Sequence, residues 1–315
     1  MDISVVIPVY NEEENLREFA DELLGVLKSL KKSFEVIFID DGSKDRSSQI
    51  LRELCKGYPF ITFIRLNRNY GQHSAIFCGF EYAKGDTIIT IDADLQNPPS
   101  EIPKLLEKID EGYEAVGGYR ESRQDSFLRK IPSFIVAKIT SRLVQVPLKD
   151  YGCMLRAYMK DLVEAMISSG GVSTYIPALA NSLAGSVAEV PIEHRARTRG
   201  TSKYNLFQLL RLNFDIMTGF SLIPIQWVGV LGFVIASSGL LFSLFLLMMR
   251  LIKGSVWAAE GVFTLFGILF FFVGIQILVM GLMGEYIGRI YQEVRKRPRY
   301  RVQEVLTQNK TTKQG

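Results

Sequence analysis

Two stretches constrain this chain more than any others. VGVLGFVIASSGLLFSLFLLMM, Val228 to Met249, and GVFTLFGILFFFVGIQILVMGLMG, Gly261 to Gly284, contain no charged residue. As a helix the first would be ~33 Å long at about 1.5 Å per residue, against a hydrocarbon core of about 30 Å. Both are expected to be membrane spans rather than a buried hairpin. Arg250, Lys253 and Glu260 are the charges in the short connection between them. Arg211 precedes the first span, and Arg289, Arg295, Lys296, Arg297, Arg299 and Arg301 follow the second span's core. By the positive-inside rule both ends then lie in the cytoplasm. Neither span carries an ionisable side chain to line a path, which argues against a transporter.

The remaining composition excludes several other classes. The formal charge of +4, from 37 basic and 33 acidic residues in 315, is too mild to point to nucleic acid, and no nucleic-acid partner is expected. Cys55, Cys78 and Cys153 are scattered and odd in number, without CxxC spacing. They fit packing roles in a reducing compartment better than a disulfide framework or a thiolate zinc site. With His73 and His194 as the only histidines, a histidine-rich metal site is excluded. No signal peptide is expected ahead of DISVVIPVY, and the polar chain after Val305 is expected to be disordered.

Ahead of the membrane segments, apolar runs alternate with helical patterns. Ile3–Pro8, Phe34–Ile39, Ile61–Leu66 and Thr87–Ile91 read as strands, and Arg46–Cys55 and Gln72–Ala83 as helices. Apolar strands alternating with helices predict an α/β domain whose mostly parallel sheet is covered on both faces. Ligands of such sheets lie outside the carboxyl ends of the strands. Tyr10 and Glu12, Asp41, and the pair Asp92 and Asp94 all follow strands directly. Strand alternation sends Asp92 and Asp94 to one side. With Gln96 they form a set of hard oxygen ligands, fit for Mg2+ or Mn2+ rather than zinc. Mg2+ is usually held by one or two carboxylates with phosphates completing its shell, so a nucleoside diphosphate is the expected ligand. No GxGxxG follows the first strand and no GxxxxGK[ST] occurs, which removes the main support for a dinucleotide oxidoreductase or a P-loop NTPase. A divalent ion neutralising a diphosphate leaving group suits glycosyl transfer from a nucleotide sugar.

VIPVYNEEENL, IDDGSKDRS and DADLQNPP resemble the nucleotide-binding half of family 2 inverting glycosyltransferases with a GT-A fold. NRNYGQHSAI (Asn67 to Ile76), DYGCMLRAY (Asp150 to Tyr158), WAAEGVF (Trp257 to Phe263) and GEYIGRIY (Gly284 to Tyr291) narrow the resemblance to the polyprenyl-phosphate branch. It runs from about residue 2 to about 303, hairpin included. The resemblance implies a GT-A (Rossmann-like) catalytic domain plus two C-terminal transmembrane helices. It also implies a bacterial inner-membrane enzyme that forms a homo-oligomer, a tetramer by analogy. The donor would be a UDP-sugar, the acceptor undecaprenyl phosphate, and the setting the modification of an outer glycolipid such as lipid A. Pro8, Tyr10, Glu12 and Asp41 would hold base and ribose, with Asp92, Asp94 and Gln96 on the metal and diphosphate. Asp150 matches the family's active-site aspartate, to which Asp94 is joined as a catalytic candidate. Arg120, Arg129 and Ser133 match positions gripping the acceptor phosphate or donor diphosphate, and Arg197, Arg199 and Lys203 match a basic loop over the site.

The chemistry is consistent with that implication. A phosphomonoester with a second pKa of about 6 is largely ionised near neutrality, so the acceptor needs no strong general base. It needs positive charge to bring two anions together. Asp150 is therefore expected to position groups or act electrostatically. Several of these residues also admit plainer readings: Arg120 as a surface charge, Arg129 and Lys130 as partners of lipid headgroups, and His73 as a structural hydrogen-bonder.

The expected organisation is a catalytic domain over 1–204, interfacial helices over 205–226, the hairpin over 227–284 and a basic cytoplasmic tail over 285–315. In NLFQLLRLNFDIMTGF, Leu206, Leu210, Phe214 and Met217 share one face, a pattern that fits a core helix as well as one lying in the membrane interface; the span that follows favours the interface. A different UDP-sugar, such as UDP-glucose, is the same-class alternative. A processive synthase would show QxxRW and more membrane helices, and neither is found. A nucleotide-binding membrane scaffold is the non-enzymatic alternative.

Overall fold

The structure is a computed structural model that describes residues 1–120, 153–169, 175–195, 223–253, 262–294, 298–308 and 310–313. By internal contacts the chain forms two units: Met1–Gln208 with Arg297–Gly315, and Leu209–Lys296.

The first unit begins with alternating strands and helices: β1 (Ile3–Val9), α1 (Leu16–Ser29), β2 (Phe34–Asp40), α2 (Ser47–Gly57), β3 (Ile61–Leu66), α3 (Gln72–Tyr82) and β4 (Thr87–Thr90). A 3-10 turn at Pro99–Glu101 leads into α4 (Ile102–Asp110), followed by β5 (Ala115–Arg120), β6 (Arg156–Met159), α5 (Lys160–Ser168), α6 (Ile176–Leu183) and β7 (Val187–Ile192). Two more strands, β8 (Val302–Thr307) and β9 (Lys310–Lys313), complete the unit. The nine-stranded sheet has the order β7-β5-β6-β4-β1-β2-β3-β8-β9. Its centre, β3-β2-β1-β4, is parallel, and β5 and β7 pair in parallel. β6 and β8 run against their neighbours.

The pattern of residues accounts for this layering. β1 and β2 are buried at nearly every position, as strands covered on both faces must be. α1 supplies part of the cover through Leu16, Phe19, Ala20, Leu23, Leu24 and Leu27, a stripe of helical spacing. α3 is buried from Ser74 through Phe80 and approaches the sheet closely at Gly79. A Cβ there would lie 2.3 Å from Val6 Cγ1 and 2.8 Å from Ile39 Cδ1. The strands read from the sequence match within a residue at each end, because mostly apolar runs ending in acidic or glycine-containing turns admit few other readings.

The C-terminal segment differs from expectation. Among the described residues the chain after Val305 is mostly strand: β8 pairs antiparallel with β3, setting Phe63 opposite Leu306 and Leu66 opposite Val302, and β9 pairs with β8. Val302 and Leu306 are buried, and Glu304 between them meets Arg52 at 2.7 Å. The Arg52 guanidinium also lies over the Phe63 ring, 5.4 Å from its centroid. Overall polarity masked a period-2 pattern whose charged member is neutralised by a partner, and the open edge of β3 supplies the pairing template.

The second unit contains α7 (Ile223–Lys253, 31 residues) and α8 (Val262–Val294, 33 residues). α8 runs beyond Gly284, so the start of the expected tail at 285 is helical. Trp227, Phe233 and Leu251 on α7, and Leu265, Ile277 and Met280 on α8, are exposed large apolar side chains. Taken over the described residues alone, no helix is long and apolar enough to cross a membrane.

Candidate active site

The parallel register sets the carboxyl ends of β4, β1 and β2 side by side. Val9 stands opposite Asp40, the Asp41 N–H donates to Val9 O at 2.9 Å, and the Ile91 N–H donates to Val6 O at 3.3 Å. The chain segments leaving these strands therefore share one edge: Tyr10 to Glu12, Asp41 to Ser43, and Asp92 to Gln96. β5 ends at the same edge, with Arg120 opposite Ile192 of β7.

Backbone-to-side-chain bonds join the first two loops. Asn11, at φ 55°, donates its N–H to Ser43 Oγ at 3.0 Å and accepts the Lys44 N–H on Oδ1 at 2.8 Å. The Glu12 N–H donates to Ser47 Oγ at 2.9 Å, and the Glu12 carboxylate accepts the Asn15 amide at 2.7 Å. Pro8 is the one residue of β1 that is not fully buried. The paired aspartates divide their roles. Asp40 is fully buried, accepts the Ser43 N–H at 2.8 Å and the Ser48 hydroxyl, and lies 3.6 Å from Arg65. Asp41 accepts the Tyr70 N–H at 2.7 Å and the Gly71 N–H at 2.9 Å on its two oxygens. Gly42 allows this closeness: its φ is +71°, and a Cβ would stand 2.6 Å from the Arg68 carbonyl carbon.

Burial pushes the Asp41 carboxyl above its ordinary value of 3.8, against the opposing pull of the Tyr70 and Gly71 N–H bonds. A carboxyl raised in the folded state contributes stability that is full below its unfolded value and is lost as pH rises through the folded one. Relative to Asp41→Asn, which does not titrate, the wild type should lose stability as pH rises from the ordinary aspartate value of about 4 upward. Thermal unfolding of both proteins across that range checks this, and parallel curves would contradict it.

The acidic loop after β4 is a turn. β4 ends at Thr90, so strand alternation does not extend to Asp92 and Asp94. Leu95 has φ 60°, and the Gln96 N–H donates to Asp94 Oδ1 at 3.1 Å. Burial nonetheless alternates: Ile91, Ala93, Leu95 and Asn97 are buried, whereas Asp92, Asp94 and Gln96 are partly exposed. Asp92 Oδ1 accepts the Gln72 side-chain amide at 2.5 Å. The Gln96 carbonyl accepts the Arg195 N–H at 2.9 Å, so the chain after β7 reaches this loop just ahead of Arg197.

Among the described residues no three His, Cys, Asp or Glu side chains are grouped to hold a metal ion. Two carboxylates and an amide still fit a Mg2+-type ion completed by phosphate oxygens, which needs no closed protein cage.

Of the site residues read from the sequence, Pro8, Tyr10, Glu12, Asp41, Asp92, Asp94, Gln96 and Arg120 are placed along this edge. Asp150, Arg129, Ser133, Arg197, Arg199 and Lys203 lie outside the described residues, as does the 205–222 segment. Sequence reasoning missed Gln72 as the holder of Asp92, and it missed Arg156. Arg156 is only 1% exposed, donates Nε to Cys153 O at 3.0 Å, and fills the space over Gly117, where a Cβ would lie 2.8 Å from Nη1. His73 packs edge-on to Tyr175 at 5.1 Å between ring centroids. Burial, and then the Arg156 charge, lower its pKa to about 4, so its ring is neutral at physiological pH.

A parallel sheet with acidic loops at its carboxyl edge offers a ligand crevice outside the strand ends. The profile of glycosyl transferase family 2 matches residues 4–167, and the chain belongs to that family: it is a glycosyltransferase. It is 50% identical over 306 residues to the undecaprenyl-phosphate 4-deoxy-4-formamido-L-arabinose transferase of Shewanella sediminis (strain HAW-EB3), covering 96% of this chain and 92% of that protein. The protein of the same description from Edwardsiella ictaluri (strain 93-146) is 48% identical over 308 residues, covering 98% of this chain and 95% of that one. A crystal structure described as that of a mycobacterial protein shares the fold at TM-score 0.50 and 17% identity, over 69% of this chain and 73% of that one.

Proposed function

We propose that this protein is a membrane-bound inverting transferase that moves 4-deoxy-4-formamido-L-arabinose from a UDP-sugar to undecaprenyl phosphate, for addition to an outer glycolipid such as lipid A. The observation that carries this reading is the extent of the likeness. Identity near one half over 96% of the chain takes in the hairpin as well as the catalytic unit. The charge-free run Val228–Met249 lies inside a helix of 31 residues, and the run Gly261–Gly284, from Val262 onward, inside one of 33; these support α7 and α8 as the membrane spans, with the catalytic unit in the cytoplasm.

In this reading Pro8, Tyr10, Glu12 and Asp41 line the base and ribose site. Asp92, Asp94 and Gln96 would hold Mg2+ or Mn2+, which neutralises charge on the departing UDP. Gln72 keeps the Asp92 carboxylate oriented. Arg120, Arg129, Ser133, Arg197, Arg199 and Lys203 supply the positive and polar groups that bring the acceptor phosphate to the sugar. Asp150 orients the reacting groups, and Asp150→Asn should lower turnover sharply without abolishing UDP binding. Normal turnover by that variant would remove the role.

The test uses purified full-length enzyme, undecaprenyl phosphate and Mn2+. UDP-4-deoxy-4-formamido-L-arabinose and UDP-glucose are supplied in parallel, and the lipid product is read by mass spectrometry. A formamido-arabinosyl lipid is expected. A glucosyl lipid from the second donor alone would overturn the sugar assignment while keeping the reaction class.

A further inference from the structure

We infer that the C-terminal segment Arg299–Leu306 is a positioning element for the donor site, acting through α3. The inference rests on the reading of the carboxyl edge as that donor site. Three hydrogen bonds onto its carboxylates come from one short stretch at the start of α3. The Tyr70 and Gly71 N–H groups hold Asp41, and the Gln72 amide holds Asp92. Any displacement of α3 or of the loop before it moves both carboxylates' partners together.

The far side of that same element is held by the returning chain. The Arg299 guanidinium lies 4.1 Å from the centroid of the buried Phe77 ring. Tyr300 packs beside Cys78 and Glu81; burial, followed by the Glu81 contact, raises its hydroxyl well above its ordinary value. The Arg301 carbonyl accepts the Asn67 N–H at 3.1 Å, at the start of the loop that ends in Tyr70 and Gly71. β8 then pairs along β3, anchored by the Arg52–Glu304 ion pair at 2.7 Å and by Cys55 Sγ at 3.2 Å from Leu306 O. Loop 67–71 is thus fixed from two sides, by Asp41 within and by this strap outside. The close approach of Gly79 to Val6 and Ile39 leaves α3 little room to settle elsewhere.

The test compares full-length wild type, Arg299→Ala, Arg299→Lys, Gln72→Ala and the double variant Arg299→Ala/Gln72→Ala. Readouts are UDP affinity in Mn2+, KM for each substrate, kcat and Tm. Arg299→Ala should weaken UDP binding and raise donor KM about five- to tenfold, the scale of a lost buried cation–π contact. The acceptor KM should stay within about twofold, and Arg299→Lys should restore most of the loss. Because both changes act on the same carboxylate partners, the double variant should lose less than the product of the single effects. A lower Tm with unchanged UDP affinity and donor KM would overturn the inference and leave the strap a purely stabilising element. Fully multiplicative effects would overturn its action through α3. Wild type that binds no UDP would instead remove the donor-site reading and this inference with it.

Discussion

Asp94→Asn should lower turnover by about 10²–10³-fold while the protein remains folded, the range seen when a group stabilising developing charge is removed. The substitution separates geometry from charge. Asp94 Oδ1 accepts the Gln96 N–H at 3.1 Å, closing the turn after β4. An asparagine oxygen accepts the same bond, so the turn and the left-handed Leu95 beside it should persist. What disappears is the negative charge that, in the proposed function, would face a divalent ion and a diphosphate. Unchanged Tm with collapsed turnover, partly recovered at raised Mn2+, is the expected pattern. Retained turnover without any metal dependence would show that this loop does not carry the ion.

Gly42→Ala should be the most damaging single methyl group at the site. Two constraints coincide there: φ is +71°, and the new Cβ would meet the Arg68 carbonyl carbon at 2.6 Å, a backbone atom that cannot rotate away. Left-handed backbone alone costs a non-glycine residue about 1–3 kcal/mol. The overlap must in addition separate loop 41–43 from loop 67–71, releasing Asp41 from Tyr70 and Gly71. Gly112 supplies the control, because its φ is +99° but no other atom lies within 4 Å of the point a Cβ would occupy. Gly112→Ala should lower Tm without altering UDP affinity, whereas Gly42→Ala should lower both, with UDP binding weakened by more than about tenfold. Equal effects on UDP binding would contradict the packing of the two loops as a unit.

The sequence made the centre of the sheet legible because β1 to β4 are largely buried and read as mostly apolar runs. The acidic loop was legible as a candidate site through its position after β4, although strand alternation stops at Thr90, where a turn replaces the strand. Gln72 was not legible because its bond to Asp92 joins residues far apart in the chain through the β3–α3 connection. Arg156 ran against the rule that arginine stays outside, and only the open face of Gly117 makes room for its guanidinium. The β8 strand was hidden by a polar composition whose one charge is paired, Glu304 with Arg52, and just ahead of it Arg299 is paired with an aromatic face. Such pairings are tertiary, and hydropathy along the chain does not contain them.

The most direct measurement is UDP release by the full-length enzyme from UDP-4-deoxy-4-formamido-L-arabinose, followed with and without undecaprenyl phosphate. The account predicts UDP and glycolipid formed in equal amounts, only when the lipid phosphate is present, and abolished by chelation of the metal. UDP released at the same rate without the lipid, or no release with both substrates and Mn2+ present, would contradict it.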